Sequence, residues 1–183
     1  MTREQARDIL ASMTKGASLL RHARTVELVM EALADHFGED KEKYAITGLL
    51  HDADYEQYPD EHPNIIVKQL QEMGEDEIAH AIAGHYTKWG VPRNTRMDKC
   101  IIAADEITGF IVASALIRPT KLEGIKVKSV MKKFKTATFA ASVDREECIK
   151  GAELIGMDLR DLIAFIIPVL QAHKEELSLA ADS

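Results

Sequence analysis

The chain has few cysteines, and this scarcity limits the ways in which it can hold a fold or a metal. Only Cys100 and Cys148 occur among the 183 residues, and they lie far apart in segments with helical patterns. A disulfide framework or a thiolate metal cage needs more cysteines at closer spacing. Any bound metal must therefore be held by histidine and carboxylate side chains.

Long apolar runs and an excess of positive charge are also missing. No run reaches the roughly 18 apolar residues that a membrane-spanning helix needs, and the N-terminal segment lacks the apolar stretch of a signal peptide. We therefore expect a cytoplasmic protein with no membrane partner. The net charge of −7 disfavours sequence-independent binding to nucleic acid, which depends on clustered lysine and arginine, so no nucleic-acid partner is expected. The oligomeric state stays open.

What the chain does have is apolar residues spaced three and four apart over most of its length, which is the helical period. Strand-like alternation is absent, so the pattern predicts an all-α fold in a single domain, residues 1–183. The last helix, after Asp158, is apolar nearly all round, which favours burial, and Pro168 is expected to kink it. Predicted helices lie near residues 2–13, 17–36, 41–51, 63–74, 75–86, 95–117 and 126–135, with two more opened by Asp144 and Asp158.

Several of these helices place a histidine or an aspartate where it faces the core. Periodicity puts His22 and His85 on apolar faces, the pair His51-Asp52 closes the third helix, and Asp105 lies in a strongly apolar helix. Each alone has an ordinary alternative, a hydrogen-bonded core histidine or a salt bridge. Together they form an imidazole and carboxylate set that suits iron, manganese, cobalt or zinc. Such a set also leaves coordination positions open, as a catalytic metal requires.

The order of these residues resembles that of the HD superfamily of metal-dependent phosphohydrolases. The resemblance is carried by His22, then by His51-Asp52 in GLLHDADYE, and then by Asp105 in AADEITG. It implies an HD-domain helical bundle with its core at about 17–117 and additional C-terminal helices over about 118–183. It also implies that these four residues bind one metal ion.

Members of that family with two metals have two further histidines between the pair and the last aspartate, and His62 and His85 occupy matching places. The resemblance then implies that Asp52 bridges both ions and that His62 and His85 complete the second site. One or two divalent transition metals are expected, iron or manganese in the first place and cobalt, nickel or zinc as further options. His62 lies in a loop before Pro63, so it can instead cap the fourth helix.

The general acid of the predicted reaction is not assigned by the sequence. Single-metal HD nucleotidases carry an acidic residue three positions after the His-Asp pair, and Tyr55 stands at that place here. Asp54 and Glu56 are the neighbouring carboxylates that can substitute for it.

A basic segment follows the sixth helix, with seven lysines and arginines between Arg118 and Lys135 against one acid, Glu123. Such a run is usually a solvated face. Its functional interpretation is a clamp for a substrate phosphate, because fixed cations stabilise charge on phosphoryl oxygens. The side chains assigned to this clamp are Lys88, Lys128, Lys135 and Arg145.

These features predict an enzyme, a phosphohydrolase that acts on a small phosphoester or nucleotide through a metal-bound hydroxide, with Asp52 as the catalytic residue. Two alternatives remain. One is a di-iron oxygenase on the same ligand set, a reaction that some HD proteins perform. The other is a regulatory module that binds a nucleotide without turning it over, since no general acid is evident.

Overall fold

The computed structural model describes residues 1–181, and in this range the fold is all-helical, with no strand. The predicted fold class is therefore confirmed. A single turn of 3-10 helix, Thr87–Trp89, lies between the fifth and sixth helices. The helices are α1 (Arg3–Met13), α2 (Ala17–Phe37), α3 (Lys41–Leu50), α4 (Asn64–Glu72), α5 (Asp76–His85), α6 (Arg96–Leu116), α7 (Val127–Phe134), α8 (Arg145–Leu154) and α9 (Leu159–Ala172).

Local capping chemistry explains where several helices begin and end. Thr2 and Gln5 form a reciprocal capping box at the start of α1, which satisfies backbone N–H groups that have no intrahelical partner. Gly38 ends α2 in the left-handed region at φ 69°, where glycine avoids the steric penalty of a Cβ. Asp144 and Asp158 accept hydrogen bonds from the first turns of α8 and α9. The sequence predicted each of these positions as a helix boundary.

The chain divides into two compact units, Met1–Ile102 and a second that begins at Ala103, so the division falls inside α6. In the first unit, α3 packs against α1, α2 and α5, and α4 packs against α5. The sequence analysis placed the end of the HD-type helical core near residue 117 and treated the whole chain as a single domain. Both that boundary and the single domain stay predictions.

Helices α2 and α3 cross at very short range because α3 carries a glycine at the crossing. A Cβ built on Gly48 would lie 2.7 Å from the carbonyl oxygen of Val26 and 2.9 Å from the amide nitrogen of Glu27. Real side chains do not tolerate such distances to backbone atoms. Gly48 therefore allows the two helices to come together, and His51, three residues later, lies within reach of α2.

A buried carboxylate ties α1 to α2. The Glu27 side chain has no solvent exposure, and its oxygens lie 2.8 Å from Arg24 Nη1, 3.6 Å from Arg3 Nη1 and 3.8 Å from Arg7 Nη2. An ionised carboxylate in the core is tolerated only with such compensating charge.

In the second unit, α9 packs against both α7 and α8. Its apolar residues Leu162, Ile163, Ile166, Ile167 and Leu170 are buried, as the sequence predicted. The helix continues through Pro168, and the kink there stays a prediction. Over residues 1–181, none of the helices combines the length and the apolar character needed to cross a membrane.

Candidate metal centre

Four segments of the first unit each bring one or two polar side chains to the same place. His22 comes from α2, His51 and Asp52 from the end of α3, and His85 from the last residue of α5. His62 comes from a run of turns before α4, where its amide donates to the carbonyl of Tyr58.

One group of donors consists of His22, His51 and Asp52. The Nε2 atoms of His22 and His51 are 3.1 Å apart. Asp52 Oδ2 lies 3.4 Å from His51 Nε2 and 3.7 Å from His22 Nε2. Their ligand atoms all lie within 4.8 Å of one another, which is close enough for one ion to contact all three.

A second group shares Asp52 with the first. Asp52 Oδ1 lies 3.3 Å from His62 Nε2 and 3.4 Å from His85 Nε2. These ligand atoms also fall within 4.8 Å of one another. Asp52 thus presents one carboxylate oxygen to each group, as a carboxylate that bridges two ions would.

The far side of three imidazoles is fixed by oxygen acceptors. His51 Nδ1 is 2.7 Å from the carbonyl oxygen of Gly48, and His85 Nδ1 donates to the carbonyl of Ile82. His62 Nδ1 is 2.6 Å from Asp54 Oδ1. Since these oxygens can only accept, each Nδ1 carries the proton, and the neutral ring then turns a lone pair on Nε2 toward Asp52.

This arrangement fits a divalent cation. Nε2 atoms and carboxylate oxygens face each other at 3.1–3.7 Å, and in the tautomer with the proton on Nδ1 this is repulsive unless a cation or a further proton lies between them. Histidine ligands whose other nitrogen donates to a carboxylate or a backbone carbonyl are the common form in metal sites. The donor set therefore matches what the HD ligand series requires.

The centre is open on one side. The side chains of His51, His62 and His85 are nearly buried, whereas those of His22 and Asp52 are 22% and 24% exposed. Burial alone would raise the pKa of Asp52, but the neighbouring imidazoles of His51 and His85 outweigh it and hold the pKa well below its usual range. Asp52 is thus a carboxylate, ready to ligate, at the solvent-facing edge.

The carboxylates considered as general acids have other partners. Asp54 is fully buried and accepts from His62 Nδ1 and from the amide of Ile66. Glu56 accepts from the amides of Lys15 and Gly16 at the start of α2. Both contacts are structural, and neither leaves a carboxyl group aimed at the donors around Asp52.

Four of the remaining predicted site residues belong to the second unit. Asp105 lies on the part of α6 that belongs to the second unit, and its role as a fourth ligand stays a prediction. Lys128 and Lys135 are exposed. Arg145 donates to the carbonyls of residues 136, 139, 140 and 143 and lies over the ring of Phe110. These bonds give Arg145 a structural use, and phosphate binding by all three stays a prediction.

Comparison with known families identifies the chain. The model of the HD domain family matches residues 19–109. The chain is an HD domain protein. All six predicted metal ligands of this HD domain fall inside the matched range, from His22 to Asp105. A search of curated proteins returned no match, and a search of solved structures returned none either.

Two features of the centre were not assigned from the sequence. The contact of Asp54 with His62 spans eight residues of irregular turns, which have no period from which to deduce a side-chain direction. The close approach at Gly48 depends on the crossing of α2 and α3. The glycine within an apolar helix was the available signal, since glycine costs helix stability and usually has a packing reason there.

Proposed function

We propose that this HD domain protein is a metal-dependent phosphohydrolase that acts on a small phosphoester or nucleotide. The observation that carries the proposal is the convergence of four Nε2 atoms on the two oxygens of Asp52. Family membership supports it, because HD domains bind divalent metals and include phosphohydrolases.

The residues of the chain divide the work between two ligand groups. His22, His51 and Asp52, with Asp105 as the proposed fourth ligand, hold one ion, and Asp52, His62 and His85 hold a second. When bound, such ions lower the pKa of a water molecule and neutralise phosphoryl charge. The open edge at His22 and Asp52 admits the phosphate, and Lys88, exposed on the turn after α5, is the proposed cation nearest to the centre along the chain.

The first test is metal content per chain in freshly purified protein, measured by elemental mass spectrometry. We expect about two iron or manganese ions for the native chain and about one for His85→Ala, because the second group loses a ligand. His80→Ala is the matched control, since His80 lies on the same helix but its Nδ1 is 3.3 Å from Asp98 Oδ1, away from the centre. If the protein binds no metal, even after reconstitution, the proposal is contradicted.

The second test is hydrolysis of phosphoesters with manganese, iron, cobalt or zinc supplied. Asp52→Ala is expected to reduce kcat at least about 100-fold. Removing a residue that only orients a metal ligand already lowers activity about 10–100-fold, and Asp52 is a ligand shared by both groups. If the native protein hydrolyses none of the phosphoesters tested, the proposed hydrolase activity is refuted.

The donor set also supports one competing function, that of a di-iron oxygenase. Imidazole and carboxylate ligands without thiolate suit iron as well as they suit the metals of a hydrolase. Oxygen consumption by the iron-loaded protein on addition of substrate would favour the oxygenase. Full activity without oxygen would exclude it.

A further inference from the structure

Beside the second ligand group lies a row of aromatic side chains that metal binding does not require. The ring of His62 is approached edge-on by Tyr55 at 5.5 Å and by Tyr86 at 5.7 Å between ring centroids. Tyr86 in turn contacts Trp89 at 5.9 Å. We call Tyr55, Tyr86 and Trp89 the aromatic platform.

The platform is exposed to solvent where a ligand can reach it. Tyr55 is 48% exposed and Trp89 is 42% exposed. Only four large hydrophobic residues of the first unit are exposed, and these are two of them, the others being Leu20 and Met73. Bare aromatic surface at the edge of a polar centre is typical of a binding site, where a few polar groups fix a ligand and apolar walls hold its body.

A cation accompanies the rings. Lys88 lies between Tyr86 and Trp89 in sequence, and its Nζ is 5.8 Å from the centroid of the Tyr86 ring. The same short segment, residues 86–89, thus offers flat apolar faces and a positive charge, next to a histidine that ligates metal under the proposed function. A planar ring attached to a phosphoryl group is the ligand that complements all three features.

We propose that the aromatic platform sets the specificity of this centre, by stacking a planar ring of the substrate on Trp89, whose ring stands nearly perpendicular to that of Tyr86. The substrate class is a phosphoester with an aryl or heteroaryl group, in preference to an aliphatic one. This inference rests on the proposed function for the position of the phosphoryl group, and Trp89 acts as a specificity residue without a role in the chemistry.

Binding of two phosphonates tests the proposal without turnover. Phenylphosphonate and propylphosphonate carry the same charged group, and only the first has a planar ring. Isothermal titration calorimetry is carried out on the full chain loaded with Zn²⁺, which has no redox chemistry. We expect phenylphosphonate to bind about tenfold tighter, equivalent to about 1.4 kcal/mol, which is within the range for stacking of rings on aromatic side chains.

The variants place the effect on the platform. Trp89→Ala is expected to reduce the preference to about twofold by weakening phenylphosphonate binding more than propylphosphonate binding, and Trp89→Phe is expected to retain most of the preference. Met73→Ala removes an equally exposed side chain at the end of α4 and should change neither affinity. Circular dichroism verifies that each variant is folded. Because Trp89 is the only tryptophan of the chain, its fluorescence should also change with phenylphosphonate and not with propylphosphonate.

The outcomes separate this inference from the function on which it rests. Equal affinity of the two phosphonates, or a preference that survives Trp89→Ala, overturns the platform even in a protein that hydrolyses phosphoesters. Loss of metal or of all hydrolysis refutes the proposed function, whatever the phosphonates do. A preference for the phenyl ligand that depends on Trp89 supports the platform.

Discussion

Replacing Gly48 by alanine tests the close crossing of α2 and α3, on which the position of His51 depends. The new Cβ would lie 2.7 Å from a backbone carbonyl oxygen and 2.9 Å from a backbone nitrogen. No rotamer relieves a Cβ contact, so the helices must separate by several tenths of an ångström. Overpacking of this kind costs about 1–3 kcal/mol, and because the clashing atoms are backbone atoms that cannot rotate away, we expect the upper part of this range, above the gain of about 1 kcal/mol that alanine brings to a helix.

Gly84→Ala is the matched control, because it is the same substitution at a buried position in a helix. A Cβ on Gly84 meets nothing within 4 Å, so alanine is expected to stabilise α5 by up to about 1 kcal/mol. The two variants should therefore shift the free energy of unfolding in opposite directions. For a chain of this size each kcal/mol moves Tm by about 2–4 °C, which differential scanning calorimetry resolves.

The same substitution reaches the metal centre. Gly48 accepts the Nδ1 hydrogen bond of His51 through its carbonyl, so separation of the helices also moves His51 away from His22. We expect Gly48→Ala to weaken metal binding as well as stability. If the Gly48→Ala protein is as stable as the native protein, the conclusion that the helices cross too closely for a side chain at residue 48 is refuted.

Three further predictions follow from buried groups. Glu27→Ala should reduce the free energy of unfolding, measured by urea denaturation, by about 2 kcal/mol. This loss is smaller than that for breaking a fully buried ion pair, because the arginine partners of Glu27 reach solvent. An unchanged free energy of unfolding would contradict the role given to these ion pairs. Asp54→Asn should weaken metal binding about 10–100-fold by loosening His62, and an unchanged dissociation constant would remove that role. Burial raises the pKa of Cys100 and of Cys148 to about 12, so both thiols should react with a disulfide reagent only after unfolding, and rapid labelling of the native protein would contradict their burial.

The sequence predicted the helices well because their signals are local. Apolar residues at the helical period mark α2 and α6, and capping residues such as Thr2 and Asp144 mark boundaries within a residue or two. Periodicity also distinguished His85, which is nearly buried beside Asp52, from His80, which is 37% exposed and lies near Asp98. Each of these conclusions needs only the direction of a side chain on its own helix.

The turn segment between α3 and α4 was different, because it has no repeating geometry. His62 was equally compatible with capping α4 and with binding metal, and its contacts with Asp52 and Asp54 depend on the path of the turns. The same segment decides that Asp54 orients a histidine, whereas the sequence offered it as a substitute general acid.

Residue types and their order thus determined the fold class, the donor chemistry and membership of the HD family, because periodicity, capping and ligand preference are properties of single segments. Tertiary structure alone decided that four Nε2 atoms converge on Asp52, that the ring of Tyr86 contacts both His62 and Trp89, and that Gly48 lets two helices touch. Those facts depend on distances between segments far apart in the chain, which are fixed only when the helices pack.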